Sequence, residues 1–390
     1  VARAHSDKKP HPDLVHFALA VGGFAIGTTE FASMSLLPYF ARDLGIAAPT
    51  AGHVISAYAL GVVLGAPLVA VLAAKLARRT LLIGLMLVFA LANGLTGLSP
   101  SYPVMLIFRF FSGLPHGAYF GVAMLVAASL VPHERRAQAT ARVLMGLTVA
   151  TIIGVPCANW LGQAIGWRWA FAIVAVLALL TATLVALFAP HQPPEKDASP
   201  MTELAALGNR DVLLTLAIGA IGFGGFFAVY TYLADTLLTI THLSENLVPL
   251  VFAVFGAGMM AGLVIVPRFV HGRLLLVAGG CLLWFALTMA LYSFLTFNAW
   301  TITASVFAIG LGGALGPVLQ TRLMDVAGKA QTLAAALNHS AFNFANALGP
   351  WLGGIAIAHG AGLSSTGLVG TGLALSGFAI WFVTLKIGHQ

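Results

Sequence analysis

The sequence predicts an all-α integral membrane protein of twelve transmembrane helices arranged as two six-helix halves. Three observations carry this. Hydrophobic residues fill 59% of the 390 positions and charged residues 8%, which leaves too little polar surface to coat a soluble globule of that size. Mean hydropathy is accordingly +0.95. The apolar runs are each about 20 residues long, the length an α-helix needs to cross a hydrocarbon core of about 30 Å, and they lack the short alternating segments of an outer-membrane barrel. A polar, proline-bearing stretch near the middle, HQPPEKDASPMTELAALGNRD, leaves six runs on each side.

In order, spans are expected at 16–38, 51–74, 80–98, 102–130, 138–160, 168–189, 210–236, 247–267, 274–296, 300–321, 331–356 and 366–386. The first is too long for the apolar core of a signal peptide and no small-residue cleavage site follows it, so it stays as a membrane helix. The second and third flank a basic turn holding Lys75, Arg78 and Arg79. The fourth carries Arg109 and His116, with Pro115 beside the histidine to disturb the local ladder. The fifth runs through Gly146, Gly154, Pro156 and Gly162, and the eleventh has its counterpart in Gly349 and Pro350, so both are expected to bend and to pack closely. The sixth leads into the linker at 190–209, and the seventh reads VYTYLAD from Val229 to Asp235. The eighth, ninth, tenth and twelfth are apolar nearly throughout. The expected organisation is therefore an N-terminal six-helix bundle at 1–189, a cytoplasmic linker at 190–209 and a C-terminal six-helix bundle at 210–390. An even number of spans per half gives both halves the same orientation, as in parallel repeats.

One set of loops holds Arg3, Lys8, Lys9, Lys75, Arg78, Arg79, Arg135, Arg136, Arg142, Lys196, Arg210, Arg268, Arg273, Arg322, Lys329 and Lys386, against only Arg42 and Arg168 on the other side. The first set is read as cytoplasmic, with both termini. The formal charge of +7 then follows from membrane orientation without a nucleic-acid partner. Cys157 and Cys281 each fall inside a span, one per half, and are read as small packing residues. There is no P-loop lysine motif, no H-E-x-x-H and no cysteine cluster, so neither an enzyme nor a cofactor nor a bound metal is expected.

Glu30 is the only carboxylate deep within a long apolar run. Holding a charge at a bilayer centre costs on the order of 2.5–3.5 kcal/mol, so a chain keeps one there chiefly when it carries something, and a proton is the natural cargo. Glu30 and Arg109 lie at similar depths, some 10–12 Å below the outer surface at about 1.5 Å per residue. Desolvation favours the protonated carboxyl and a nearby guanidinium the ionised one, so a conformational change that alters the balance would load or release the proton. Asp235, near the outer end of the seventh span, reads either as a solvated helix-end residue or as a second proton site. His116 reads as a cavity-lining group or a packing residue. His339, Asn343 and Asn346 share one helix face at i, i+4 and i+7, and should point into the bundle to bond either a polar substrate or a neighbouring helix. Tyr58, Tyr119 and Tyr230 are assigned with them to the substrate cavity.

Four signatures, GTTEF at Gly27 to Phe31, RFFSGLPHGAYFG at Arg109 to Gly121, the glycine-proline stretch Gly146 to Gly162, and GWRWAF at Gly166 to Phe171, resemble the major facilitator superfamily. Within it the chain is most similar to the twelve-helix drug:proton antiporters of the arabinose-efflux-like and sugar-efflux-like bacterial branch, over about its whole length. The resemblance implies the major facilitator fold and a central cavity lined by the acid of helix 1 and the arginine of helix 4. It also implies export of a small organic solute in exchange for protons. The loop between helices 2 and 3 departs from the family pattern, with Ala70, Ala74 and Ala77 at two glycine positions and the acidic one. Its remaining basic residues are expected to orient the protein and touch anionic lipid. A facilitator or proton symporter of a sugar or nucleoside is the rival reading, and a non-transporting receptor or scaffold a remote one. The expected partners are a small-molecule substrate, protons and the bilayer of a bacterial inner membrane, with the protein functional as a monomer.

Overall fold

The computed structural model describes residues 11–72, 76–132, 135–191, 208–269, 273–327 and 331–387. Lys75, most of the 190–209 linker, and Arg3, Lys8, Lys9, Glu134, Lys196 and Lys329 lie outside the described residues. Those described fold into α-helices joined by short turns, with no strand among them. In chain order these are α1 (Pro12–Ser35), α2 (Leu37–Asp43), α3 (Ala48–Leu72), α4 (Arg78–Gly97), α5 (Tyr102–Ser129), α6 (Arg136–Val149), α7 (Val155–Ala164) and α8 (Trp167–Phe188). After the linker come α9 (Arg210–Gly222), α10 (Gly224–Thr239), α11 (Val248–Ile265), α12 (Leu274–Leu295), α13 (Ala299–Leu311), α14 (Leu315–Val326), α15 (Gln331–Ala356) and α16 (Ser365–Ile387).

Eleven segments among the described residues are long and apolar enough to cross a membrane, and each overlaps an expected span. The expected eleventh span, 331–356, is the 26-residue helix α15, but Asn338, His339, Ser340, Asn343 and Asn346 pull its hydropathy below that of its neighbours. Several spans are broken internally. α1 passes into α2 at Leu36, two residues before Pro38, and α9 passes into α10 at Phe223 between two glycines. A π-helical turn at Ala150–Gly154 joins α6 to α7 just ahead of Pro156, where the missing N–H removes one ladder bond. The expected bend at Gly349–Pro350 is different: α15 runs through Pro350 as helix, and its π turn comes later, at Ile357–Ala361.

Helices approach closest where glycine removes the Cβ. On α3, Gly61 and Gly65 lie under the carbonyls of Phe110 and Leu114 of α5, while Gly113 of α5 lies under that of Tyr58. On α11, Gly258 and Gly262 meet the carbonyls of Phe307 and Leu311 of α13 in the same way, and Gly310 meets Phe255. Both sets use an i, i+4 pair facing a single glycine, and a methyl group at any of them would collide with backbone.

One apolar cluster gathers buried residues from Val15 to Ala189 only. A second is built mainly from Ile218 to Trp381, with Phe31, Met34, Ile55 and Val155 reaching into it. On the face opposite the termini the two sets of helices touch. Arg42 pairs with Glu245 at 3.9 Å, Gln163 donates to the Glu245 carbonyl at 2.8 Å, and Tyr232 of α10 is buried among residues of α1, α2, α3 and α8. Large apolar side chains such as Phe17, Leu91, Val176 and Phe294 are exposed, as lipid-facing residues must be.

Candidate functional site

Glu30 sits on α1 one residue past Thr29 and three before Ser33, so the 100° step of the helix points it to a different face from its two hydroxyl neighbours. That step decides the electrostatics. Thr29 and Ser33, at i and i+4, face α5 and hold the Arg109 guanidinium, with Nη1 donating to Thr29 Oγ1 and Nη2 to Ser33 Oγ, both at 3.1 Å. Glu30 turns toward α15, where its Oε1 accepts from Asn346 Nδ2 at 3.2 Å. The expected common level of Glu30 and Arg109 is present, but they form no ion pair within 4.0 Å.

Arg109 is fully buried and stacks over the Tyr58 ring at 4.2 Å, with Phe171 beyond it at 5.5 Å. Both aromatic faces offer negative quadrupole density to the cation. Tyr58 passes the network on, its hydroxyl lying 2.9 Å from Nδ1 of His116. The His116 ring faces that of His339 on α15 at 6.3 Å, and His339 stacks parallel on Phe120 at 5.3 Å. The polar stripe of α15 therefore does point inward. Its residues have separate partners: Asn346 holds Glu30, Asn343 donates to the His339 carbonyl at 3.0 Å, and His339 meets the His116–Phe120 pair.

Several polar atoms here are buried with no hydrogen-bond partner among the described residues: the Tyr230 hydroxyl, His339 Nε2, and Oδ1 of Asn343 and of Asn346. Tyr230 stands edge-on to Phe31, the residue after Glu30, with ring centroids 5.3 Å apart. Unpaired polar atoms in an apolar interior are costly unless a ligand or water pairs them in use, so this group offers both donor and acceptor capacity to a small polar molecule.

Other expected site residues go elsewhere. Tyr119 donates to the Leu19 carbonyl at 2.8 Å and packs over Gly22, which makes it a tie between α5 and α1. Asp235 lies near the end of α10 with one carboxylate oxygen unpartnered and Arg42 within Coulombic range. It belongs to the contact face opposite the termini. Asn346 was expected to bond either a substrate or a neighbouring helix, and its amide is on Glu30 of α1. Gly146, Gly154 and Gly162 pack α6 and α7 against Ala20, Thr28 and Leu36 of the first span, and Gly349 packs α15 against Gly224 of α10. Pro350 presents its carbonyl to the Tyr232 hydroxyl at 2.9 Å. Arg79 bonds the Ala186 carbonyl and His191, so it pins α4 to the end of α8, and Arg78 begins α4. Cys281 is buried as expected, but Cys157 is exposed.

Sequence reasoning missed Asn93. It is fully buried on α4, accepts from Thr29 Oγ1 at 2.6 Å and donates to the Phe89 carbonyl at 2.9 Å. An amide inside FALANGLTG was the available signal, since polar side chains in a span rarely lack a partner.

The sequence profile of the Major Facilitator Superfamily matches residues 19–328. The chain is 40% identical over 380 residues to the inner membrane transport protein YdhP of Escherichia coli strain K12, covering 96% of each. It is 36% identical over 356 residues to a chloramphenicol resistance protein of Streptomyces lividans, covering 89% of this chain and 90% of that one. Among solved structures, a bacterial homologue of the human lysosomal transporter Spinster, in an inward-facing and unoccupied conformation, superposes with a TM-score of 0.72 at 18% identity, covering 97% of this chain and 98% of that chain. A twelve-span helical fold, a profile match over most of its length and relatives matched nearly end to end place this chain in the Major Facilitator Superfamily of membrane transporters.

Proposed function

We propose that this protein is a proton-coupled secondary transporter that exports a small organic solute across a bacterial inner membrane by alternating access. It works as a monomer with both termini in the cytoplasm, and the halves 1–189 and 210–390, joined by the 190–209 linker, rock against each other. Glu30 takes and releases the proton. One observation carries this reading: the buried Glu30 carboxylate is bonded to Asn346, a residue of the other half.

An ionised Glu30 accepts a charge-assisted hydrogen bond from the Asn346 amide. Once protonated, it loses the charge that strengthens that bond and gains an O–H to give, for which the unpartnered Asn346 Oδ1 is an acceptor in the same amide orientation. The two protonation states thus favour different fits between α1 and α15, which is the differential interaction a ligand needs to shift a conformational equilibrium. Solute pairs with the unsatisfied atoms of Tyr230, His339 and Asn343, beside Tyr58 and His116 and close to Glu30. Solute and proton then compete for one region, and antiport follows without further machinery.

The test uses a drug-sensitive bacterium plated on a panel of toxic solutes with chloramphenicol among them. For any solute against which expression protects, inside-out vesicles should accumulate it when their lumen is acidic, and Glu30→Gln should abolish that response. Accumulation driven by acid outside would make the protein a symporter, and accumulation indifferent to the gradient would make it a facilitator.

A further inference from the structure

Arg109 is held beside Glu30 without touching its carboxylate, and the hydrogen-bond directions around it show what holds it there. The Asn93 amide is fixed because its Nδ2 donates to the Phe89 carbonyl at 2.9 Å, leaving Oδ1 turned toward Thr29. Thr29 must then spend its only proton on Oδ1, at 2.6 Å, and present lone pairs to Arg109 Nη1. Ser33 is committed likewise: its proton goes to the Glu30 backbone carbonyl at 3.0 Å, so it too is an acceptor for Nη2. The guanidinium is tethered by two hydroxyls whose polarity is set from behind, one of them by a residue of α4 that makes no bond to Glu30 or Arg109.

We propose that Asn93 is a positioning residue: through Thr29 it keeps the Arg109 guanidinium off the Glu30 carboxylate, so that Glu30 stays free to exchange its proton. This rests on the reading of Glu30 as the proton site. Besides Arg109, Tyr58 of α3 and Tyr230 of α10 lie within Coulombic range of Glu30, with His116 of α5 and His339 of α15 beyond Tyr58, and none of these four bonds Thr29 or Asn93. When the tether is lost, the nearest acceptor of opposite charge for Arg109 is Glu30, and an ion pair there holds the carboxylate ionised to lower pH.

The experiment reads the proton directly and needs no substrate. The protonated-carboxyl carbonyl stretch is followed by infrared difference spectroscopy while purified protein in liposomes is titrated, and the band lost in Glu30→Gln reports Glu30. In Asn93→Leu and in Thr29→Val, which keeps the threonine shape, the midpoint of that band should fall by about one pH unit. Thr29→Ser, which keeps the hydroxyl, should titrate like the wild type. A folded Thr29→Val with an unchanged or raised midpoint overturns the positioning role, and so does an acid shift in Thr29→Ser equal to that of Thr29→Val. If no titrating band disappears in Glu30→Gln, it is the proton-site reading that fails, and the inference fails with it.

Discussion

Replacing Asn346 by alanine removes the one side-chain donor to Glu30 among the described residues and the bond that joins α1 to α15 at that point. The sign follows from which protonation state the amide serves. An ionised carboxylate gains more from an N–H donor than a protonated one, so deleting the donor weakens the ionised form and the carboxyl should hold its proton to higher pH. A hydrogen bond to a charged group is worth about 1.5–3 kcal/mol, and about 1.36 kcal/mol corresponds to one pH unit. The protonated form keeps part of that bond, so the titration midpoint of Glu30 should rise by at most about two units. Because Asn346 comes from the other half, a second effect is expected: proton binding and the rocking equilibrium should uncouple, so that solute flux loses part of its dependence on the pH gradient. The infrared titration measures the first effect and vesicle flux at several gradients the second. Asn346→Ala protein of normal thermal stability with an unmoved midpoint would refute the reasoning, because the bond would then be packing between helices and nothing more.

Glu30→Gln should leave a folded protein whose flux no longer responds to a pH gradient while solute counterflow persists, measured in the same vesicles. Arg109→Ala should raise the pH midpoint of transport, since a nearby cation is lost, and Arg109→Lys should raise it less; identical profiles in both would make Arg109 a purely structural tie. On the face opposite the termini, the Arg168 hydrogen bond to Asp43, assisted by Trp167, holds the Asp43 carboxyl below the usual range. A lowered value stabilises the fold above the ordinary carboxylate range and that gain disappears as pH falls through the folded value, so Asp43→Asn should flatten the acid limb of thermal unfolding. The pair is about half exposed, so the effect should stay under about 1 kcal/mol. Gly52→Val should push against the Tyr232 hydroxyl packed over that position, and so reduce crosslinking between cysteines placed at Arg42 and Glu245 in a background without Cys157 and Cys281.

What the sequence shows about this fold follows from what each signal measures. Span positions depend on hydropathy, a property of a single segment, and they agree with the helices within a few residues. The interruptions at Leu36 and Phe223 have local signals in Pro38 and in the flanking Gly222 and Gly224, but hydropathy does not register them. Depth along a helix was readable by counting residues, which put Glu30 and Arg109 level. Azimuth was not, because it depends on which neighbour each face meets: one residue's rotation sends Thr29 to Arg109 and Glu30 to Asn346. Tyr119 shows the same limit. It shares a motif with His116, three residues away, yet its hydroxyl is spent on the Leu19 backbone while His116 faces Tyr58 and His339. Asn93 shows a third kind, since an amide in a span signals that it has a partner but does not say which one.

The glycines separate what is rigid in this molecule from what can move. Gly61, Gly65 and Gly113 lock α3 to α5, and Gly258, Gly262 and Gly310 lock α11 to α13 at the same sequence offset, which is what two copies of one ancestral half would produce. Those contacts are backbone on backbone, and no side chain can shift to let the helices slide. Most contacts between the halves are of another kind, the approach of Gly256 on α11 to the Thr151 carbonyl of the π turn being the closest backbone exception among the glycines. They include Asn346 on Glu30, Ser56 on the Ala347 carbonyl at 2.9 Å, the Phe31–Tyr230 ring pair, and Arg42 with Glu245 at 3.9 Å. Each is a side-chain interaction of modest strength that has an alternative partner in water, lipid or solute. Backbone-locked units joined by exchangeable side-chain contacts are the mechanical requirement for rigid-body rocking. The only one of these cross-half contacts made to a deeply buried carboxylate is the one to Glu30, the proposed proton site.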